Sequence, residues 1–270
     1  MFVRLLLAAA VLCATPLSSP QAGQADACSR SSPRHTVALV ELFTSEGCSS
    51  CPPADRWLEA LPTRHAPDRL LPLALHVDYW DYIGWQDPYA QAQFAERQRL
   101  LGRLSRSSSI YTPGVFAGMR ELRDWRDPAA LDRRVQEINR QPARVGISLA
   151  MRPAGPRRIE IEAQFTPQES AVAARHLRAV LVLYENRLVS VVHRGENRGA
   201  TLHHDHVVRY WSIAGLGGGT EQQKVARAVV LPPEWKAAQL GVAAFVEDTE
   251  RGEVLQAVSM PACPNVLPIE

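Results

Sequence analysis

Cys48 and Cys51 are the residues whose type and spacing most directly point to chemistry. A thiolate attacks disulfides, and with two residues between the cysteines the second thiol can displace a partner that the first has captured. What precedes and follows them fits that use. Val37 to Phe43 is an apolar, partly β-branched run that reads as a buried strand, and a polar turn containing Gly47 follows it. Pro52 and Pro53 suit the first turn of a helix, where their missing N–H groups are not needed. Negative charge is favoured at a helix start, which lowers the pKa of a thiol placed there. A structural bridge and a metal-binding pair are the alternatives for these two cysteines, and the redox reading is preferred. Glu41 lies inside the apolar strand, a costly place for a carboxylate unless it is paired or functional. It is read either as a proton-transfer group or as half of an ion pair with an arginine elsewhere.

Three further segments carry candidate residues. His76 to Pro88 follows a second apolar run (Leu70 to Val77) and combines Asp78, Asp81 and Asp87 with Tyr79, Trp80, Tyr82 and Trp85. It should lie at the carboxyl edge of a sheet, where ligands bind in open α/β folds. Asp78, Trp80 and Trp85 are therefore candidates for a substrate or partner surface near the cysteines; the alternative is aromatic packing against the second half of the chain. In His203-His-Asp-His206, His204 and His206 would share a strand face, with His193 near. No metal-ligand spacing accompanies them, so they are read as surface or structural and no metal is assigned. Arg194-Gly-Glu-Asn-Arg-Gly199 reads as a tight polar turn in which Glu196 and Arg198 anchor the turn or a domain interface.

Arg4 followed by the apolar stretch Leu5 to Ala14 and the small-residue site Ala25-Asp26-Ala27 reads as a cleaved signal peptide over residues 1–27. The expected location is periplasmic or secreted, and no later run is long and apolar enough to cross a membrane. Cys13 would leave with the leader, and Cys28, Cys48, Cys51 and Cys263 would remain. If Cys48 pairs with Cys51, the other pair is Cys28–Cys263, a structural disulfide tying the chain ends together; two unpaired thiols are the alternative. The chain has 270 residues, 46% apolar and 21% charged, with a formal charge of +2. That is ordinary for a globular protein and argues against a dedicated nucleic-acid binder.

The elements that must position these residues follow in order: strand 37–43, helix 52–61, strand 70–77, a helix opened by Pro88 and running to about Leu104, a strand beginning at Ile110, a hairpin turn at Gly118-Met119, and a helix capped by Asp127. After Pro142 the pattern becomes short alternating segments: 145–151, 158–165, 177–184, 188–193, 201–213, 224–230, 242–247 and 254–259. Turn signals separate them, as in an antiparallel sandwich or barrel.

The segments Val40 to Asp55, His76 to Pro88, Tyr111-Thr-Pro113 and Arg194 to Gly199 together resemble the signature of the DUF1223 family of secreted thioredoxin-like proteins. The resemblance implies an α/β thioredoxin-like domain over residues 28–142, with a mixed sheet in βαβαββα order, followed by a β-rich, sandwich-like domain over 143–270. By likeness to thioredoxin-fold oxidoreductases, Cys48 attacks and Cys51 resolves. Pro113 is then a cis-proline facing the disulfide, Thr112 offers backbone groups to an extended substrate, and Tyr111 shapes the same surface. Glu41 either accepts a proton from Cys51 or faces the opposite side of the sheet. The function implied is an exported thiol–disulfide oxidoreductase with a protein client and a redox partner, needing no cofactor. A copper- or zinc-binding protein and a non-catalytic binding protein with a structural disulfide are the alternatives.

Overall fold

The computed structural model describes residues 28–168, 176–217 and 220–261. The leader expected at residues 1–27 and Cys263, the expected partner of Cys28, lie outside them. In chain order come β1 (Cys28–Ser31), β2 (Ala38–Thr44), α1 (Pro52–Ala60), β3 (Leu70–His76), α2 (Ala92–Leu104), β4 (Gly114–Ala117), β5 (Arg120–Glu121) and α3 (Pro128–Asn139). The β-rich remainder holds β6 (Val145–Gly155), β7 (Arg158–Pro167), β8 (Leu177–Glu185), β9 (Leu188–Val191), β10 (Thr201–His204), β11 (Val207–Gly215), β12 (Gln223–Val230), β13 (Leu240–Asp248) and β14 (Glu253–Pro261).

Eight strands form one mixed sheet in the order β14-β13-β8-β11-β3-β2-β4-β5, and four form a second sheet, β1-β6-β7-β12. β2 and β3 run parallel from Ala38↔Leu70 to Thr44↔His76, and β4 joins the other side of β2 antiparallel. Both parallel strands are buried along their whole length, which is why each reads as an unbroken apolar run rather than an alternation. In β2 and the residue before it, the side chains divide between two cores. Ala38, Val40 and Leu42 pack with Ala54 and Leu58 of α1 and Leu131 and Val135 of α3. Val37, Leu39 and Phe43 pack with Phe94 and Leu101 of α2. The second sheet stacks on β8, β13 and β14 through Leu149, Ile161 and Phe165 against Leu181, Val242 and Met260.

The strands after Pro142 thus do make a sandwich, but its inner layer continues the sheet that carries β2 and β3. The junction is β11, antiparallel to β8 along most of its length and parallel to β3 at Val207↔Ala74, where the Ala74 N–H donates to the His206 carbonyl at 2.9 Å. Several sequence boundaries move, among them that of the strand expected from Ile110, which begins at Gly114. The helix expected from Pro88 begins at Ala92, because residues 87–90 form a turn in which Asp87 accepts from the Tyr89 N–H. The strand expected over 201–213 is broken at Asp205-His206, where His206 adopts φ 57°.

Glu41 belongs to the α2 side of β2. Its carboxylate receives Arg97 of α2, whose guanidinium also reaches Glu247 of β13 at 3.0 Å; the three side chains are buried. Burial raises the Glu41 pKa, and the neighbouring Glu247 charge adds to that, while Arg97 opposes it. The Arg97 guanidinium also lies 4.7 Å from the Trp211 ring centre and 5.4 Å from that of Phe245. Removing the one cation from this triad leaves two carboxylates buried without compensation. Arg97→Met should therefore cost about 3–5 kcal/mol of stability, seen as a lower urea midpoint at unchanged m-value. A midpoint equal to that of the wild type would show that the triad holds nothing together.

Candidate functional site

Cys48 and Cys51 form a disulfide with Cα atoms 5.4 Å apart. The backbone brings them together in two successive turns: the Cys48 N–H donates to the Ser45 carbonyl and the Cys51 N–H to the Cys48 carbonyl, each at 3.2 Å. Cys51 is the N-cap of α1, and Pro52 and Pro53 fill the next two positions. The prolines start the helix without N–H groups, so they remove two donors that a helix start would otherwise offer to a thiolate. The Ser50 hydroxyl lies 3.3 Å from Cys48 Sγ and is placed to donate to it. The Thr112 carbonyl approaches the same sulfur at 3.8 Å, and the Thr112–Pro113 peptide is cis.

Both cysteines are covered: Cys48 is 1% exposed and Cys51 0%. Asn197 donates through Nδ2 to the Glu46 carbonyl at 2.8 Å and the Cys48 carbonyl at 3.0 Å. Next to it the Glu196 carboxylate accepts from the Ser49 N–H at 3.0 Å and the Ser49 hydroxyl at 2.7 Å, which holds its pKa below the usual carboxylate value. The segment 194–199 is therefore a strap across the cysteine loop. The aromatic loop closes the same side: Trp80 Nε1 donates to Thr112 Oγ1 at 2.7 Å and Trp85 Nε1 to Glu46 Oε2 at 2.8 Å. Two glycines permit these approaches. A Cβ on Gly47 would stand 3.0 Å from Trp80 Cβ, and Gly195 has φ +75° with Ile83 3.1 Å from where its Cβ would lie.

Beneath the loop is a buried polar bed. Glu46 accepts from Trp85 and lies 3.1 Å from His204 Nε2; Asp87 receives the Glu46 N–H at 2.8 Å and His76 Nδ1 at 2.7 Å. Burial alone would raise Asp87 and lower His76, but their mutual charge and hydrogen bond outweigh it, so Asp87 sits low and His76 high, as a buried ion pair. Asp55 of α1 accepts from the Thr44 hydroxyl at 2.8 Å and lies 4.0 Å from His204 Nδ1; burial raises its pKa. The His76 and His204 rings meet edge to face at 4.9 Å.

The structure brings Cys48, Cys51, Thr112 and Trp80 together with Pro113 next in the chain, while the Trp85 and Tyr111 side chains turn to Glu46 and Glu121. It separates Glu41 from them: Glu41 lies across the sheet from α1, and its ion-pair partner is Arg97. Asp78 is half-buried and has no side-chain hydrogen bond or ion pair among the described residues; Asp81 instead accepts the Asp87 N–H at 3.2 Å. Tyr111 donates its hydroxyl to Glu121 at 2.6 Å, and burial with that carboxylate pushes its pKa up to about 12. His203 is exposed, His204 belongs to the polar bed, and His206 lies in the turn after β10, so His204 and His206 do not share a strand face. Among the described residues no group of three or more His, Cys, Asp and Glu side chains is arranged to hold a metal ion. Glu46, Asp55 and Asn197 were the residues missed. All three lie inside the motif segments, where their side chains close contacts that sequence spacing does not display.

Two expectations follow from this geometry. Asn197→Ala removes the two side-chain bonds from Asn197 to the cysteine loop and leaves the two from Glu196 to Ser49 in place. At about 0.5–1.5 kcal/mol each, their loss should speed reduction of the Cys48–Cys51 bridge by a water-soluble phosphine about tenfold; an unchanged rate would show that the strap does not limit access. His206 is held down to about 4 by burial, with Asp205 acting weakly the other way. The unfolded chain takes up this proton near 6.5 and the folded chain only near 4, so His206 stabilises the fold above pH 6.5 and that contribution is lost as pH falls toward 4. His206→Asn, which tolerates the left-handed backbone, should flatten this part of the acid-side stability curve in urea titrations at pH 7 and 4.5; an unchanged slope would place the loss on other groups.

A solved structure of a protein from Agrobacterium tumefaciens is similar to this chain, with a TM-score of 0.61 and 25% identity, covering 88% of this chain and 100% of that one. HBP35 of Porphyromonas gingivalis is similar in fold, with a TM-score of 0.67 at 13% identity, covering 88% of this chain and 78% of that one. No curated protein matches the chain. The model of a family described as a protein of unknown function, DUF1223, matches residues 39–247, most of the strands and all three helices around the disulfide, and the chain belongs to that family.

Proposed function

We propose that this protein is an exported thiol–disulfide exchange protein built on a thioredoxin-like core. The observation that carries the reading is the meeting of Cys48 Sγ with the Thr112 carbonyl, 3.8 Å apart across 64 positions of chain, beside Pro113. A client backbone lying along residue 112 would bring its own sulfur to Cys48. The strand order β3-β2-β4-β5, with β2 and β3 parallel and the other neighbours antiparallel, supports the core assignment. Export is supported by the leader pattern at residues 1–27. Among the described residues, no helix is long and apolar enough to cross a membrane.

In the exchange, the Cys48 thiolate attacks one sulfur of a client disulfide, forming a Cys48–client disulfide and releasing the other client sulfur as thiolate. The Cys51 thiolate then displaces the first client sulfur and closes the Cys48–Cys51 bridge. Two electrons pass to the client, and a second protein dithiol must return them. Run backwards, the same steps oxidise a client dithiol. Ser50 is placed to stabilise the Cys48 thiolate by its hydroxyl. The burial of both cysteines favours a second reading, in which the bridge is permanent and the protein binds a partner without exchange.

Thiol trapping with peptide mapping across graded glutathione buffers separates the two. Exchange requires Cys48 and Cys51 to open together in the folded protein at a potential above about −300 mV, the usual ceiling for structural bridges. A bridge that opens only when the protein unfolds removes the exchange reading and leaves the binding one.

A further inference from the structure

A cleft of about 670 Å³ lies between the C-terminal end of α2, the β4–β5 hairpin and the turn joining β13 to β14. Arg106, Arg120, Arg123 and Arg251 line it, with Glu121 and Asp124 the acidic residues in its wall. Leu104 and Met119 give it an apolar floor. Its charges are unevenly matched. Glu121 is already engaged, accepting from the Tyr111 hydroxyl at 2.6 Å and from Arg123 Nε at 3.1 Å. Arg251 lies 3.8 Å from Asp248 and 3.7 Å from Glu253. Arg106 and Arg120 are exposed and have no carboxylate or aromatic partner among the described residues. Guanidinium groups converging on a concave, partly apolar wall raise the local potential and favour planar, bidentate capture of carboxylates.

The cleft is also joined to the disulfide. Glu121, in its wall, holds the Tyr111 hydroxyl, and the next residue is Thr112, whose carbonyl faces Cys48 Sγ at 3.8 Å. One tyrosine side chain and one residue of backbone link the cleft wall to the sulfur, a path that a few extended residues of a client can follow. Ile110 and Tyr111, 40% and 38% exposed, form an apolar rim between them. A chain that crosses this rim with a cysteine at Thr112 carries its residues a few positions away into the arginines.

We propose that the arginine cleft binds an acidic peptide segment a few residues from the cysteine of the protein client. The placement of that segment rests on the exchange reading above; the binding itself does not. The net charge of the lining sets the sign of the ligand, and the link to residue 112 makes it a stretch of chain rather than a free anion.

The test uses the full mature chain and a fluorescent, cysteine-free hexapeptide of glutamates, with its all-glutamine counterpart as control, read by anisotropy at low and moderate salt. The glutamate peptide should bind at least tenfold tighter than the glutamine peptide. Arg106→Ala/Arg120→Ala should lower its affinity at least fivefold. Arg158→Ala/Arg178→Ala, which removes the same charge from exposed positions outside the cleft, should leave it within twofold. Equal binding of the two peptides, or equal losses in the two double variants, overturns the site and assigns any attraction to diffuse charge. In a parallel assay, disulfide-bearing versions of both peptides report exchange with the reduced protein. Exchange without preference for the acidic peptide overturns the cleft while the exchange reading stands. Selective binding without any exchange upholds the cleft while the exchange reading falls.

Discussion

One buried guanidinium ties this molecule together. Arg97 stands in a place from which water is excluded, and its charge is tolerable there only because Glu41 and Glu247 meet it from two strands of the same sheet. Those strands, β2 and β13, come from opposite ends of the chain, so α2 can be seated only when both are in position. The seating has a consequence one residue further on. Gln98 donates to the Tyr111 carbonyl at 2.7 Å and accepts from the Tyr79 hydroxyl at 3.0 Å. The segment that brings the Thr112 carbonyl to Cys48 therefore hangs from the same helix that the ion triad locks down.

Around the disulfide, the motif residues act mainly as construction. Glu46, His76, Trp85, Asp87, Asn197 and His204 fasten one another across three separate segments, and their combined effect is to hold the cysteine loop in one shape and to cover it. Buried polar networks of this kind are stable only when nearly every member is satisfied, so they tolerate few alternative arrangements. A reactive sulfur set in such a frame is well oriented and poorly accessible at once. The exposed residues Ser49 and Glu196 form the outer edge of that frame.

Much of this architecture can be read in the sequence because local pattern determines it. Short, mostly apolar runs between turn signals read as buried strands, prolines at 52 and 53 suit the start of a helix, and Asp127 before Pro128 caps the next one, its side chain accepting from the Ala129 N–H at 3.0 Å. What could not be read depends on distance along the chain. The partner of Glu41 lies 56 positions away and that of Glu46 158 positions away, and no periodicity connects them. The helix expected at Pro88 starts late because the turn before it is committed to presenting Asp87 to His76, a demand set by a different strand. The sandwich was foreseeable from alternating segments; that its inner layer extends the first sheet was not, since the junction at β11 rests on a single register pair with β3.

The strap has one more implication, which concerns time rather than space. Asn197 meets the Cys48 carbonyl across 149 positions. A chain made from its N-terminus at about 5–20 residues per second presents both cysteines for roughly 10–30 s before their cover has been synthesised. During that interval the thiols belong to an unfinished polypeptide and are open to any oxidant that meets it. A bridge closed during that interval would form without the strap, whereas one closed later must form beneath it.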